Sequence, residues 1–421
     1  MYYLESNTTK TSEVILFMSI SRLAQSIVES PTLRLNQEAR ILKEKGEAVV
    51  HLGAGEPKNK APMHAISSAI EKLNTGEVKY APSDGLPSLK KAIIQYTERN
   101  YGRTVEPSNI IVSDGAKQSV FNLLYALIDP GQEVIILAPY WVSYPEMVKM
   151  VNGVPVIVTP ADGSFCPKLS DIEKAVTPAT RLIIVNSPNN PSGAVFPDEF
   201  IGQIVEYCER KNIYLVMDDI YHKLVFDGKK IAPVYNFTKK DVESTNVIVV
   251  NGISKTYGMT GFRVGWVVSN RRLVKVMANI QGQITTCNSP ICQAAAEAAL
   301  NGDQSCVDNL ISTLEKNRDI VMKGLLSIPG IKMVKPEGTF YCLPDFSAYN
   351  KDSMAMGEFL LKKALVVTVP GKDFGAEGHL RISYAGAAGE VAEGMSRIKW
   401  ALDPNSPREI KIGNRTVVRD W

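Results

Sequence analysis

Little in this sequence is present in excess, and the shortages narrow its chemistry. Charge of one sign is missing: 47 lysines and arginines stand against 44 aspartates and glutamates, a formal net charge of +3, with no basic stripe along the chain. That balance leaves no electrostatic footprint for nucleic acid. Histidine is scarce, with four scattered residues and no H-E-x-x-H pair, so no metal site is expected. The six cysteines, Cys166, Cys208, Cys287, Cys292, Cys306 and Cys342, form no C-x-x-C pair. Most stand in apolar or helical surroundings and read as reduced, structural thiols. The apolar patch near the N-terminus, Val14–Ile20 (VILFMSI), falls far short of the ~20 residues that span a bilayer. It also lacks a small-residue cleavage site. A soluble, cytoplasmic protein is therefore expected, with no membrane partner, and with residues 1–17 as an extension ahead of a natural start at Met18.

What is there is ordinary globular composition: 421 residues, 45% hydrophobic and 22% charged, enough for two or three units or for one large α/β domain plus a smaller one. Apolar, β-branched runs at Ile110–Ser113, Val134–Leu137, Val154–Val158, Leu182–Val185, Ile213–Met217 and Val247–Val250 read as strands. Helical stretches separate most of them, which argues for a mostly parallel sheet covered on both faces. Ligands of such sheets bind outside the carboxyl ends of the strands. Polar or aromatic residues gather there: Trp141, Asn190, Asp218 with Tyr221, and Lys255.

Helices are expected at Gln37–Lys45, His64–Leu73, Pro87–Asn100, Gln118–Ile128, Arg271–Gln281, Pro290–Asn301 and Gln304–Ser327. The runs Gly338–Leu343, Ala364–Gly371 and His379–Ala385 suggest a smaller C-terminal sheet, and Gly386–Leu402 holds the last helix. Residues 403–421 are polar with a weak strand signal and read as an appendage. Two glycine turns invite close backbone approach: GAGEP (Gly53–Pro57), and DGAK (Asp114–Lys117) at a helix start. The second is a ready anion site, although it lacks the Lys-Ser/Thr ending of a P-loop and the full dinucleotide fingerprint.

The stretch Asn251–Trp266 (NGISKTYGMTGFRVGW) follows the VIVV strand and carries Lys255 and, eight residues later, Arg263. A lysine at a buried strand end is either a solvated loop residue or an amine desolvated enough to form a Schiff base with an aldehyde cofactor.

Together with SPNNPSG (Ser187–Gly193), DDIY (Asp218–Tyr221), SKTYGMTGFRVG (Ser254–Gly265), YAPSDG (Tyr80–Gly85), PYWVSYPEMV (Pro139–Val148) and RISYA (Arg381–Ala385), this stretch resembles the fold type I pyridoxal-phosphate aminotransferases, class I. Within them, the bacterial aspartate aminotransferases are the nearest in pattern. Order and spacing both match over roughly residues 20–400. The resemblance implies an α/β fold: a large cofactor-binding domain, residues 68–305, around a mostly parallel seven-stranded sheet covered by helices. A smaller α/β domain would come from residues 18–67 and 306–402.

It further implies pyridoxal 5'-phosphate as cofactor. Lys255 would be the catalytic lysine that binds the cofactor aldehyde and shuttles protons. Asp218 would face the ring nitrogen and keep it protonated. Asn190 and Tyr221 would hydrogen-bond the ring oxygen, and Trp141 would stack on the ring. The phosphate would sit on Gly115, Ala116 and Lys117 with Arg263, joined by Tyr80 from the neighbouring subunit of a homodimer. Arg381 would clamp the substrate α-carboxylate, assisted by the backbone of Gly55, with Asn190 and Trp141 alongside. Two departures stand out. Gly252 occupies a position where many relatives carry serine, and Asp114 precedes the phosphate turn, where its charge is expected to point outward.

The resulting expectation is a transaminase moving an amino group from an L-amino acid to a 2-oxo acid by a ping-pong mechanism. Lys117 matches a lysine that helps hold a distal carboxylate and Thr32 a substrate-gate threonine, which favours aspartate and glutamate. Ile284, in the interface segment Gly282–Pro290 (GQITTCNSP), instead stands where a relative offers a hydroxyl from the other subunit, which suggests broader selectivity. A carbon–sulfur lyase would use the same lysine. A sensing domain of a transcription regulator would need a DNA-binding module in front, for which about twenty residues are too few.

Overall fold

The computed structural model of the chain describes residues 20–27 and 31–421, with the side chains of residues 31–36 outside that description. The expectations for residues 1–17, for Met18 and for the Thr32 side chain lie outside the described residues.

Seven strands form the large sheet: β1 (Ile110–Asp114), β2 (Glu133–Leu137), β3 (Val154–Val158), β4 (Thr180–Asn186), β5 (Tyr214–Asp218), β6 (Val247–Gly252) and β7 (Val264–Val268). Their order is β1-β7-β6-β5-β4-β2-β3. β6, β5, β4, β2 and β3 are mutually parallel, while β7 runs antiparallel to both its neighbours, β1 and β6. Side chains alternate across the sheet as the strand period requires. Ile135, Ile183, Leu215 and Val249 enter one core, which helices carrying Ala65, Leu89, Ile204 and Ala295 cover. Ile136, Ile184, Val216 and Val250 enter the opposite core, covered by helices carrying Val120, Tyr144 and Leu273. Burial on both faces is why these strands read as unbroken apolar runs.

The strand β7 was not foreseen as a separate element. Its sequence, VGWVV, lies inside the motif that also holds Arg263, and Gly265 interrupts its alternation. The helix expected from Gln37 begins earlier, at Pro31. The run Ala364–Gly371 splits in two: Val366–Val367 pairs with Val50–His51 in parallel, whereas Val369–Pro370 joins Leu380–Ser383 and Tyr341–Cys342 in an antiparallel sheet. A third core, with Leu52, Leu310, Phe340, Leu380 and Trp400, unites these pieces. Among the described residues no helix is long and apolar enough to cross a membrane.

The polar tail folds into a hairpin, Glu409–Ile412 with Arg415–Val418. Its two-residue turn places Gly413 at φ +58°, a backbone region that favours glycine. Ile412 is buried with Ala39, Val49, Leu365 and Val367. Arg419 donates to the carbonyls of Trp400 (3.2 Å) and Asp403 (2.7 Å), and Trp421 Nε1 donates to the Ala401 carbonyl at 3.1 Å. The appendage is thus stapled to the last helix and to the helix Pro31–Glu44. Removing the buried side chain, Ile412→Ala, is expected to lower stability by about 2–5 kcal/mol, read as a fall in thermal or denaturant midpoint. A midpoint equal to that of the parent would show that the hairpin does not dock in solution.

Candidate active site

The carboxyl ends of the parallel strands open into a cavity of about 880 Å³. Of the residues expected there, Gly55, Ala116, Lys117, Trp141, Asn190, Asp218, Tyr221, Lys255, Arg263 and Arg381 line it. Gly115 sits just behind Arg263: a Cβ added to Gly115 would stand 2.5 Å from a guanidinium nitrogen. Tyr80 does not line the cavity of its own chain and is 87% exposed.

Asp218 ends β5, paired in register with Asn186 of β4 and Val250 of β6. Its carboxylate is buried and accepts from the Tyr144 hydroxyl at 2.6 Å and the Ile220 N–H at 3.3 Å. Among the described residues it has no salt-bridge partner. Burial pushes its carboxyl above the usual carboxylate range, against the two hydrogen bonds and the more distant charge of Lys255. The nearby imidazole offers no cation. Burial pushes His222 down to about 3, and its Nε2 lies 2.8 Å from the Tyr96 hydroxyl. The adjacent Asp219 carboxyl is pushed up to about 7, first by burial and then by the charge of Asp218, against a hydrogen bond from Tyr101.

Lys255 follows β6. Burial lowers its amine to about 8, and the positive charges of Arg381 and Arg263 act in the same direction, while Glu56 and Asp218 oppose them. Its Nζ donates to the Gly55 carbonyl at 2.7 Å. Gly55 therefore faces the lysine, and the carbonyl that touches Arg381 belongs to Gly53, at 3.0 Å. The Arg381 guanidinium is buried over the Tyr341 ring, 4.5 Å from its centroid, and donates to Asn190 Oδ1 at 3.2 Å. Its Nε has no partner among the described residues. Asn190 Nδ2 and the Tyr221 hydroxyl converge at 3.5 Å.

The glycine turn lies where three backbones crowd together. A Cβ on Gly252 would meet the Val264 carbonyl at 2.9 Å, and one on Gly265 would meet the Ala116 nitrogen at 2.3 Å. The glycine at position 252, where serine was a possibility, is thus required by the packing of β6 on β7. Gln118 and Ser119 N–H groups bond the Gly115 carbonyl, which leaves the Ala116 and Lys117 N–H groups without an intrahelical acceptor. Arg263 is fixed beside them by bonds to the carbonyls of Thr260 (2.9 Å) and Asp114 (3.2 Å). The Asp114 carboxylate does not line the cavity; it accepts from Asn288 Nδ2 at 2.5 Å. Lys117 Nζ sits 5.0 Å from the centroid of the Trp141 ring, and burial, then Arg263, lowers its amine.

A buried carboxylate lacking a cation, a lysine amine of lowered basicity and an anion cup of free N–H groups beside an arginine share one cavity. This set fits a ring with a protonated nitrogen, an aldehyde and a phosphate. Comparison with known proteins agrees: the sequence model described as Aminotransferase class I and II matches residues 47–398. The chain belongs to this family. Like its other members, this aminotransferase is pyridoxal-phosphate-dependent. It is 40% identical over 398 residues to the aspartate/prephenate aminotransferase of Nitrosomonas europaea, covering 91% of this chain and 100% of that one. It is 37% identical to the aspartate aminotransferase of Geobacillus stearothermophilus, covering 90% and 98%. Among solved structures, the Thermus thermophilus aspartate aminotransferase with maleate superposes with a TM-score of 0.86 at 37% identity, covering 91% of this chain and 99% of that one.

Sequence reasoning missed three side chains of the aminotransferase site. Tyr144 stands three residues past Trp141 in a motif already noted, in the first turn of the helix Ser143–Met150. Tyr341 lies in the GTFYCL run, read only as a strand. Asn186 ends β4, where its Nδ2 donates to the Asp218 carbonyl at 2.8 Å and its Oδ1 accepts from the Asn190 N–H at 2.9 Å; nothing in the sequence singled it out.

Proposed function

We propose that this aminotransferase acts on aspartate and glutamate with selectivity relaxed toward apolar and aromatic amino acids, by a ping-pong mechanism, as a cytoplasmic homodimer. The observation that carries the substrate class is that two cationic side chains, Arg381 and Lys117, line the same cavity as Lys255. A dicarboxylic substrate has one carboxylate for each. Relatives named aspartate aminotransferase support the reading. Ile284 is exposed and does not line the cavity of its own chain; contributed by the neighbouring subunit, it would supply the apolar contact for other side chains.

When bound, pyridoxal phosphate supplies an aldehyde that condenses with amines and a ring that withdraws electrons from the substrate α-carbon. In this reading the residues act as follows. Arg381 binds and orients the α-carboxylate, its planar fork already held by Asn190 and Gly53. Lys255, its amine lowered by burial to about 8, gives up its proton near neutral pH far more readily than an ordinary lysine. It would therefore hold and move the proton at the substrate α-carbon. Asp218 would keep the proton on the ring nitrogen, with Tyr144 fixing the carboxylate. Asn190 and Tyr221 would hold the ring oxygen, Trp141 would cover the ring, and the cup of Gly115, Ala116, Lys117 and Arg263 would hold the phosphate. Residues 18–67 and 306–402 would form the smaller domain over residues 68–305.

The substrate reading is tested by kcat/KM for aspartate, glutamate, alanine and phenylalanine with 2-oxoglutarate as acceptor. Lys117→Ala is expected to lose roughly ten- to a hundredfold on the two dicarboxylates, the range of a hydrogen bond to a charged group, and much less on the other two. An equal loss on all four would remove Lys117 from distal-carboxylate recognition.

Two segments support the shared site. Tyr80, in a loop, and Ile284, at the end of the helix Arg271–Ile284, are both exposed, and their segments are joined by Ala81 N–H to Cys287 Sγ at 3.3 Å and by Gln281 Nε2 to the Ser83 carbonyl at 2.5 Å. A partner subunit covering this face would receive Tyr80 at its phosphate cup. Mixing inactive Tyr80→Ala and Lys255→Ala variants, once subunit exchange has been demonstrated, is expected to regain part of the activity in hybrid dimers. No recovery would count against Tyr80 acting across the interface.

A further inference from the structure

Asp114 is the one carboxylate placed directly on the phosphate turn, and its fate depends on a residue 174 positions away. Asn288 is buried, 2% exposed. Its Nδ2 donates to Asp114 Oδ1 at 2.5 Å and to the Arg263 carbonyl at 2.7 Å. Both partners are acceptors only, which fixes the orientation of the amide and uses both of its N–H groups. Its Oδ1 is buried with no partner among the described residues. Leaving an amide oxygen unpaired is costly, so the side chain is oriented by what its nitrogen holds. Gln293 fixes it from behind, donating to the Asn288 carbonyl at 2.8 Å and accepting from the Leu86 N–H at 2.7 Å.

The two groups that Asn288 holds are the two that shape the cup. Arg263 adopts a left-handed backbone, φ +54°, uncommon for a side chain of its size. Its guanidinium already bonds the Asp114 backbone carbonyl at 3.2 Å, and the carboxylate belongs to that same residue. A carboxylate free to turn toward that guanidinium would pair with it and compete with the phosphate for the same cation.

We infer that Asn288 is a positioning residue of the cofactor site: it holds the Asp114 carboxylate away from Arg263 and so keeps that arginine available to the phosphate. This rests on the reading of Gly115, Ala116, Lys117 and Arg263 as the phosphate cup. It also links the cup to the chain that follows Ile284, on the face proposed above to meet the partner subunit.

The test is the dissociation constant of pyridoxal phosphate from the cofactor-free protein, by fluorescence titration, in Asn288→Ala, Asp114→Asn, their combination, and Arg263→Met. Asn288→Ala is expected to weaken binding about tenfold or more. Asp114→Asn should stay within about threefold of the parent or bind tighter, and the double variant should return to within about threefold of Asp114→Asn, because the competing charge is gone. If Asn288→Ala costs the same factor in both Asp114 backgrounds while Arg263→Met is impaired, the inference is wrong and the cup stands. If Arg263→Met binds like the parent, the cup reading fails and this inference with it. Should Asn288→Ala not fold by circular dichroism, Asn288→Ser with and without Asp114→Asn takes its place under the same criteria.

Discussion

A carboxylate buried without a cation is the constraint around which the site is arranged. Asp218 ends the middle strand of the seven-stranded sheet, level with the last residue of β4 and two residues short of the end of β6, and is buried there. Desolvation of a charged carboxylate is unfavourable by several kcal/mol unless it is offset. Here two hydrogen bonds offset part of it, and the carboxyl remains shifted upward. The one imidazole nearby is held neutral, and the lysine charge acts only from a distance. In the proposed reading a protonated ring nitrogen would supply the missing positive charge, so that cofactor and carboxylate would stabilise each other. The same burial that raises the acid lowers the amine of Lys255, and both groups are thereby brought toward neutral pH.

Architecture makes this arrangement possible. The parallel strands deliver Asn186, Asp218 and the segment leading to Lys255 to one end of the sheet. The antiparallel strand β7 then brings Arg263 back beside the glycine turn. Gly252 and Gly265 allow β6, β7 and the start of the helix Ala116–Leu127 to approach more closely than any side chain permits. The anion cup is therefore a product of backbone packing, with Arg263 and the free N–H groups set by the same contacts.

Much of this was legible in the sequence because it is local. Each β-branched run announces a strand, and polar residues just past strand ends mark the ligand side of a parallel sheet. Trp141, Asn190, Asp218, Tyr221 and Lys255 were therefore found together before any coordinates were known. What escaped depends on contacts between distant segments. Asn288 meets Asp114, and Asn186 bridges β4 to β5, through single hydrogen bonds that leave no periodic trace. Strand β7 was hidden by a glycine that serves packing and interrupts its pattern. The tail hairpin carried only a weak alternation, and its docking depends on one buried isoleucine and on arginine bonds to carbonyls, neither of which composition signals. Asp114 was recognised as a misplaced charge, but the residue that restrains it could be identified only in three dimensions.

The central claim is that Lys255 is the amine that captures the cofactor aldehyde. Borohydride reduction of the protein loaded with pyridoxal phosphate, followed by peptide mapping, tests it most directly. The account predicts one pyridoxyl group per chain, carried by the peptide that contains Lys255, and none in Lys255→Ala. Stoichiometric label on any other lysine, or an undiminished label in Lys255→Ala, would contradict it.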